Sequence, residues 1–260
     1  MPPRLLLIGG GRMGSALAAG WAEQTLGPSF AVDPARPQLP GLQVVADLAD
    51  LPRGFIPDCV VLAVKPQMAP DILPRLAPLT QGAVFLSIMA GHSLAGLGRF
   101  LGTAAAIVRA MPNTPAAIRR GISVACAGAH VGESQAVLCD ALLRAVGDVA
   151  WTSHEPDLDA VTAISGGGPA YVFLLAELLE QAGLEQGLSP ELARRLARRT
   201  LSGAGALLDA DPADAADLRR AVTSPKGTTE RALAVLMADW PDSVSRAIDA
   251  ATERSRELGQ

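Results

Sequence analysis

Over roughly the first 150 residues, short unbroken apolar runs alternate with stretches whose apolar positions recur at helical spacing. The runs predict strands at Leu5–Ile8, Phe30–Asp33, Cys59–Val64, Val84–Met89, Ala106–Arg109 and Ile122–Cys126. Several are apolar throughout, as in strands covered on both faces. The segments after Gly11, around Gln67–Leu79 and around Glu133–Val146 predict helices. This alternation predicts an α/β fold built on a doubly wound, mostly parallel sheet.

From about Glu155 the pattern becomes helical throughout, with helices expected at Asp157–Ser165, Ala170–Gln181, Pro190–Leu208, Ala213–Val222, Lys226–Ala238 and Asp242–Leu258. Ser189-Pro190-Glu191 and Asp211-Pro212 mark helix starts, and Gly183 and Gly187 mark stops. Two domains follow, an α/β domain over residues 1–153 and an all-α domain over 154–260. "AYVFLLA" (Ala170–Ala176) is apolar on every side, so the helix is expected to be buried all round. A domain of about 100 residues has little room to bury it alone, so a second copy is expected to complete its coat, most simply as a C2 homodimer.

Composition narrows the classes. Hydrophobic residues make up 49% and charged residues 18%, which argues against disorder. A net charge of −4 argues against nucleic acid or an anionic membrane as partner. Cys59, Cys126 and Cys139 lack the spacing of a disulfide framework or zinc site, and His92, His130 and His154 show no metal-binding motif. No metal is expected. The opening "MPPRLLLIGGG" is too short an apolar run for a signal peptide, and no run reaches membrane-spanning length, so a cytoplasmic protein is expected. Of 22 basic residues only Lys65 and Lys226 are lysines, positions where a compact ammonium is retained against an arginine background.

"LLLIGGGRMGSAL" sets Gly9, Gly11 and Gly14 in GxGxxG register between a strand and a helix. That context suits a pyrophosphate: a tight turn, close backbone approach and a helix N-terminus. Asp33 ends the next strand where a ribose 2′-OH would meet a carboxylate, favouring NADH, while Arg36 could hold a 2′-phosphate, favouring NADPH. Three further strand exits, "VLAVKPQ", "SIMAG" and "RAMPNTPA", are rich in Pro, Gly and small residues on one sheet edge and read as a cleft floor. "SGGGPAY" (Ser165–Tyr171) interrupts two helical patterns, and its lone tyrosine reads as a core residue. In "VTSPKGTTERAL", Ser224 and Pro225 read as N-cap and first-turn residues of a helix whose start carries an ammonium and two hydroxyls. No Ser/His/Asp set or paired-carboxylate motif stands out, so catalysis would rest on a cofactor, positioning and backbone dipoles.

These motifs in this order resemble pyrroline-5-carboxylate reductase over nearly the whole chain, "SGGGPAY" and "TSPKGTT" being the most specific. The resemblance implies a Rossmann domain followed by a helical dimerisation domain, with dimers often assembled into larger rings. It implies NAD(P)H-dependent reduction of a small cyclic imine to proline. By position, Gly9, Gly10, Gly11, Arg12, Met13 and Gly14 would cradle the pyrophosphate. Ala63, Val64, Lys65 and Pro66, with Ile88, Met89 and Ala90, would line the cofactor, joined by Met111 and Asn113. Gly227 and Thr228 would hold the substrate carboxylate and Thr229 would hydrogen-bond the ring nitrogen, with Lys65, Ser165 and Lys226 on the substrate side. The chain departs from the family at Lys226, usually Gly, and at Gly167, usually Ser. Two other readings fit parts of the pattern: a β-hydroxyacid-type dehydrogenase, and a nucleotide sensor without turnover.

Overall fold

The computed structural model describes residues 1–79 and 81–259, so Gln260 lies outside the described residues. The chain divides into two compact units, Met1–Gly167 with Ala250–Gln260, and Gly168–Asp249. The strands end at Thr152, beside the expected 153/154 boundary, whereas the compact units part at Gly167.

The first unit is built on one eight-stranded sheet. Its strands are β1 (Leu5–Ile8), β2 (Phe30–Val32), β3 (Gln43–Val45), β4 (Cys59–Leu62), β5 (Val84–Ser87), β6 (Ile107–Met111), β7 (Gly121–Ala127) and β8 (Gly147–Thr152). They lie in the order β3-β2-β1-β4-β5-β6-β7-β8, all parallel except β6 against β7. Helices α1 (Arg12–Trp21) and α4 (Glu133–Arg144) supply one apolar layer, which meets Leu5, Leu7, Cys59, Val61 and Leu86. Helices α2 (Ala69–Leu76) and α3 (Leu94–Leu101) supply the other, which meets Leu6, Ile8, Val60, Leu62 and Phe85. Neighbouring strand residues thus serve opposite cores, which is why β1 and β4 are apolar at every position. Each such leucine contributes on the order of 1.5–3 kcal/mol by leaving water.

The six expected strands are present, and three elements are added. β3 is a three-residue edge strand, and in β8 buried Val149 is the lone fully shielded position of a half-polar run. α3 carries Gly96 and Gly98, which weaken helix propensity; its Ser93 cap, accepting from the Gly96 N–H at 3.1 Å, and buried Leu97 and Leu101 override them.

Several helical expectations are corrected. "SGGGPAY" does not interrupt the helix: α5 (Asp157–Val161) passes through a π-helical turn (Thr162–Gly166) into α6 (Gly168–Glu185). The Gly167 N–H reaches the Thr162 carbonyl at 2.9 Å, so the glycines widen the helix without breaking it. That continuous helix, Asp157–Glu185, is long and apolar enough by length and composition to cross a membrane, contrary to the expectation that no segment is. After α7 (Pro190–Ala210) and α8 (Ala215–Ala221), the last two expected helices are one, α9 (Thr228–Leu258), which runs through Pro241. Ser224 and Pro225 precede its start.

In the second unit α6 packs on α7, where Gly183 lets Ala193 approach: a Cβ at Gly183 would lie 3.0 Å from that of Ala193. The outer face of α6 stays bare within one chain, with Phe173 68% and Leu174 53% exposed. Tyr171 is 42% exposed and is no core residue of the single chain. At its other end α9 returns to the first unit, where Ser255 donates to Asp159 at 2.7 Å and the Leu258 carbonyl lies against Gly91.

Candidate functional site

The glycine-rich turn leaves β1, which pairs with β2 on one side and β4 on the other, so that the strand order reverses there, the position at which open α/β sheets bind ligands. Its glycines do different work. Gly9 is left-handed (φ +99°), and a Cβ there would sit 2.8 Å from the Ala63 carbonyl oxygen. A Cβ at Gly14 would collide with the Gly9 carbonyl at 2.1 Å, and one at Gly10 with the Pro37 ring at 2.5 Å. These three serve the fold. Around Gly11 no atom lies within 4 Å of a Cβ, so this face of the turn is open.

Gly11 caps α1 without a side chain, and the Ser15 N–H is the first to find an intrahelical acceptor, the Gly11 carbonyl at 2.8 Å. The N–H groups of Arg12, Met13 and Gly14 therefore lack an intrahelical acceptor. Free N–H groups at a helix start beside an open approach fit a dinucleotide pyrophosphate. Asp33 lies beside this turn, its Oδ2 accepting from the Gly10 N–H at 2.7 Å and its Oδ1 from the Ala35 N–H at 2.8 Å. Arg36 is left-handed (φ 48°), exposed, and 4.0 Å from Asp50. It borders a cavity of about 550 Å³ walled by Pro37, Leu39 and Leu42.

The next two strand exits stand alongside. Ala63 and Val64 flank Gly9, and the Ile88 N–H reaches back to the Leu62 carbonyl at 3.1 Å. Lys65 is exposed and caps a short 3-10 turn begun by Pro66. Met89 is buried, and Ala90 leads into left-handed Gly91. His92, for which the sequence shows no metal-binding motif and suggests no other role, joins the two exits: its Nε2 lies 3.0 Å from the Pro66 carbonyl oxygen. A carbonyl only accepts, so Nε2 carries the proton.

Beneath them Arg109, 8% exposed, meets Glu155 at 3.0 Å. Glu155 also accepts the Leu94 N–H at 2.7 Å, tying the start of α3 to β6. Burial, then the Glu155 carboxylate, pushes the Cys126 thiol up. Cys59, hydrogen-bonded to Cys139 and buried, is also pushed well up, so neither is poised as a thiolate. All three cysteines are free. In the "MPNTP" exit, Asn113 accepts the Ile122 N–H at 2.9 Å and so braces the loop on β7. The Met111 methyl would lie 3.0 Å from a Cβ at Gly166, bringing that loop to the π-helical turn. There the Ser165 hydroxyl donates to the Val161 carbonyl at 3.0 Å, leaving its lone pairs open.

In the second unit, Ser224–Gly227 form a tight turn closed by the Gly227 N–H on the Ser224 carbonyl at 3.0 Å. Lys226 is left-handed (φ 60°). Glycine adopts that conformation with less strain than a residue bearing a side chain. Its N–H donates to Glu230 at 2.8 Å. Gly227 has no room for a Cβ, which would lie 2.4 Å from the Ser224 hydroxyl. The Arg231 N–H reaches the Gly227 carbonyl, so the N–H groups of Thr228, Thr229 and Glu230 lack intrahelical acceptors. Thr228 and Thr229 are exposed.

Together the Rossmann sheet and the open glycine turn define an NAD(P)-dependent oxidoreductase. A family described as NADP oxidoreductase, coenzyme F420-dependent, matches residues 4–91, and pyrroline-5-carboxylate reductase dimerisation matches residues 155–258. A pyrroline-5-carboxylate reductase of Pseudomonas aeruginosa is 39% identical over 99% of this chain and 97% of its own. That of Pisum sativum is 33% identical over 96% and 94%. The structure of a pyrroline-5-carboxylate reductase from Coxiella burnetii superposes with TM-score 0.91 at 31% identity, covering 100% of both chains. The Plasmodium falciparum pyrroline carboxylate reductase, solved with NADP bound, does so with TM-score 0.87 at 31% identity over 99% and 98%. The chain belongs to the pyrroline-5-carboxylate reductase family, which serves proline biosynthesis with NAD(P)H, and it is homo-oligomeric.

Proposed function

We propose that this chain reduces L-1-pyrroline-5-carboxylate to L-proline. The observation that carries the reading is the pairing, in one family member, of an open glycine turn with a second helix start of free N–H groups at Thr228–Thr229. One suits a pyrophosphate and the other a carboxylate. A bound dihydronicotinamide would be the source of the hydride that reaches the imine carbon. Arg12, Met13 and Gly14 would hold the pyrophosphate through their N–H groups, and Ala63–Pro66 with Ile88–Ala90 would line the cofactor. Thr228 and Thr229 would hold the substrate carboxylate through their free N–H groups; the Gly227 N–H, expected to share that role, is already bound to the Ser224 carbonyl. The Thr229 hydroxyl would orient the ring nitrogen, which keeps one proton as hydride reaches the carbon. No strongly shifted acid is needed, because an imine takes its proton from water before reduction.

The oligomer is proposed as a homodimer that assembles further into a ring. The bare face of α6 and the match to a dimerisation family support it. The cytoplasm is the proposed compartment, since three free, buried thiols suit a reducing one. Oxidation of NADH and NADPH with pyrroline-5-carboxylate, set against a panel of 2-oxo and 3-hydroxy acids, tests the reading. Turnover of the imine is expected; a preference for any of the acids would replace it with a dehydrogenase. Coenzyme binding without any turnover would leave a nucleotide sensor.

A further inference from the structure

Asp33 is held from every side. Its N–H donates to the Val45 carbonyl at 3.0 Å and its carbonyl accepts the Arg36 N–H at 3.0 Å. Its two carboxylate oxygens are taken by the N–H groups of Gly10 at 2.7 Å and Ala35 at 2.8 Å. The side chain therefore cannot swing away from the glycine turn. In a sheet of this topology the residue ending β2 faces the adenosine ribose. A carboxylate offers about four acceptor positions, so after two main-chain bonds it still accepts from ribose hydroxyls. A 2′-phosphate brings negative charge and further acceptors to a carboxylate that cannot retreat.

Two cations could offset that repulsion. Arg36 lies 4.0 Å from Asp50, and its side chain is 64% exposed. Arg12 is also exposed. Long, solvated side chains return little for an ion pair, whereas Asp33 is partly buried and fixed by the main chain. We infer that this chain selects NADH over NADPH, with Asp33 as the discriminating residue. The inference rests on the dinucleotide-binding part of the proposed function and sets this chain apart from its NADP-bound relative.

Calorimetric titration with ADP-ribose and with 2′-phospho-ADP-ribose tests it without any imine. The parent protein is expected to bind ADP-ribose about ten- to hundredfold more tightly, the size of one charge-assisted hydrogen bond. Asp33→Ser is expected to erase that ratio. Asp33→Asn keeps an acceptor for only one of the two N–H groups and removes the charge, and should lose most of the discrimination. Equal affinities in the parent, tighter binding of the phosphorylated ligand, or a ratio unchanged in Asp33→Asn would overturn the inference. Because no imine is present, failure to reduce pyrroline-5-carboxylate would count against the proposed reaction and leave this measurement intact.

Discussion

The Pro66 carbonyl accepts two hydrogen bonds, one from the Ala69 N–H within its own short turn and one from His92 Nε2 at 3.0 Å. The second crosses from the exit of β5 to the exit of β4 and so sets the spacing of two segments proposed to line the cofactor. The His92 ring also meets Phe100 edge-on at 6.5 Å. His92→Phe keeps an aromatic ring but removes the donor. It is expected to raise the coenzyme KM about three- to tenfold with kcat little changed, as for loss of one ordinary hydrogen bond. His92→Gln, which retains a donor, should recover part of the loss. Steady-state kinetics at saturating imine checks this, and an unchanged KM in His92→Phe would make the contact incidental.

Gly11 separates cofactor binding from folding. Gly9, Gly10 and Gly14 are each required by neighbouring atoms, so their replacement would damage the turn itself. A Cβ at Gly11 meets nothing within 4 Å. Gly11→Val is therefore expected to fold, at a cost of no more than about 1 kcal/mol at the helix cap, while losing most coenzyme affinity, because the branched side chain fills the approach to the free N–H groups. Thermal unfolding beside equilibrium binding of NADH decides it. Normal affinity in the folded variant would remove the pyrophosphate from this turn.

The sheet and its two-faced core were legible because strands buried on both faces leave short runs such as "LLLI" and "CVVL", bounded by Gly, Pro or Asp, at intervals between helical patterns. α3 was not, since its glycines hide a helix that only the Ser93 cap and the packing of Leu97 reveal. The continuous path from α5 into α6 was hidden for a related reason: glycine stretches mark both breaks and π-helical widenings, and only the backbone tells them apart. Among candidate site residues, the glycine turn and Asp33 follow from spacing. His92 does not, because its partner is a main-chain carbonyl and leaves no pattern of residue types.

The apolar coat of α6 carries a prediction about assembly. Phe173 is 68% exposed within one chain, on a helix with no buried residue. If a second copy covers it, Phe173→Glu would bury an unpaired carboxylate and cost several kcal/mol at each copy of the contact. Dissociation to monomers at nanomolar to micromolar concentration is expected by mass photometry, with the Rossmann unit still binding coenzyme. Retention of the parental mass would place this face in solvent.

Lys226 occupies the third position of a turn whose second residue is Pro225, and its φ of 60° is the left-handed value that a type II turn demands. A side chain there costs about 1–2 kcal/mol, while glycine forfeits about 0.5–1 kcal/mol through its freer unfolded chain. The difference favours glycine, so Lys226→Gly is expected to stabilise the fold by about 0.5–1 kcal/mol in chemical denaturation at fixed protomer concentration. Lys226→Met keeps the strained backbone and should match the parent. The two variants then divide the roles of backbone and ammonium. A lysine kept where glycine would be less strained is expected to contribute through its charge, next to the helix start proposed to hold the substrate carboxylate. Both variants should therefore raise the substrate KM about two- to fivefold at low ionic strength, the size of one exposed ion pair. The penalty should fade as salt screens that contact. Should both variants keep the parental KM at low salt, the main-chain N–H groups of Thr228 and Thr229 hold the carboxylate unaided, and Lys226 acts only on the stability of the turn.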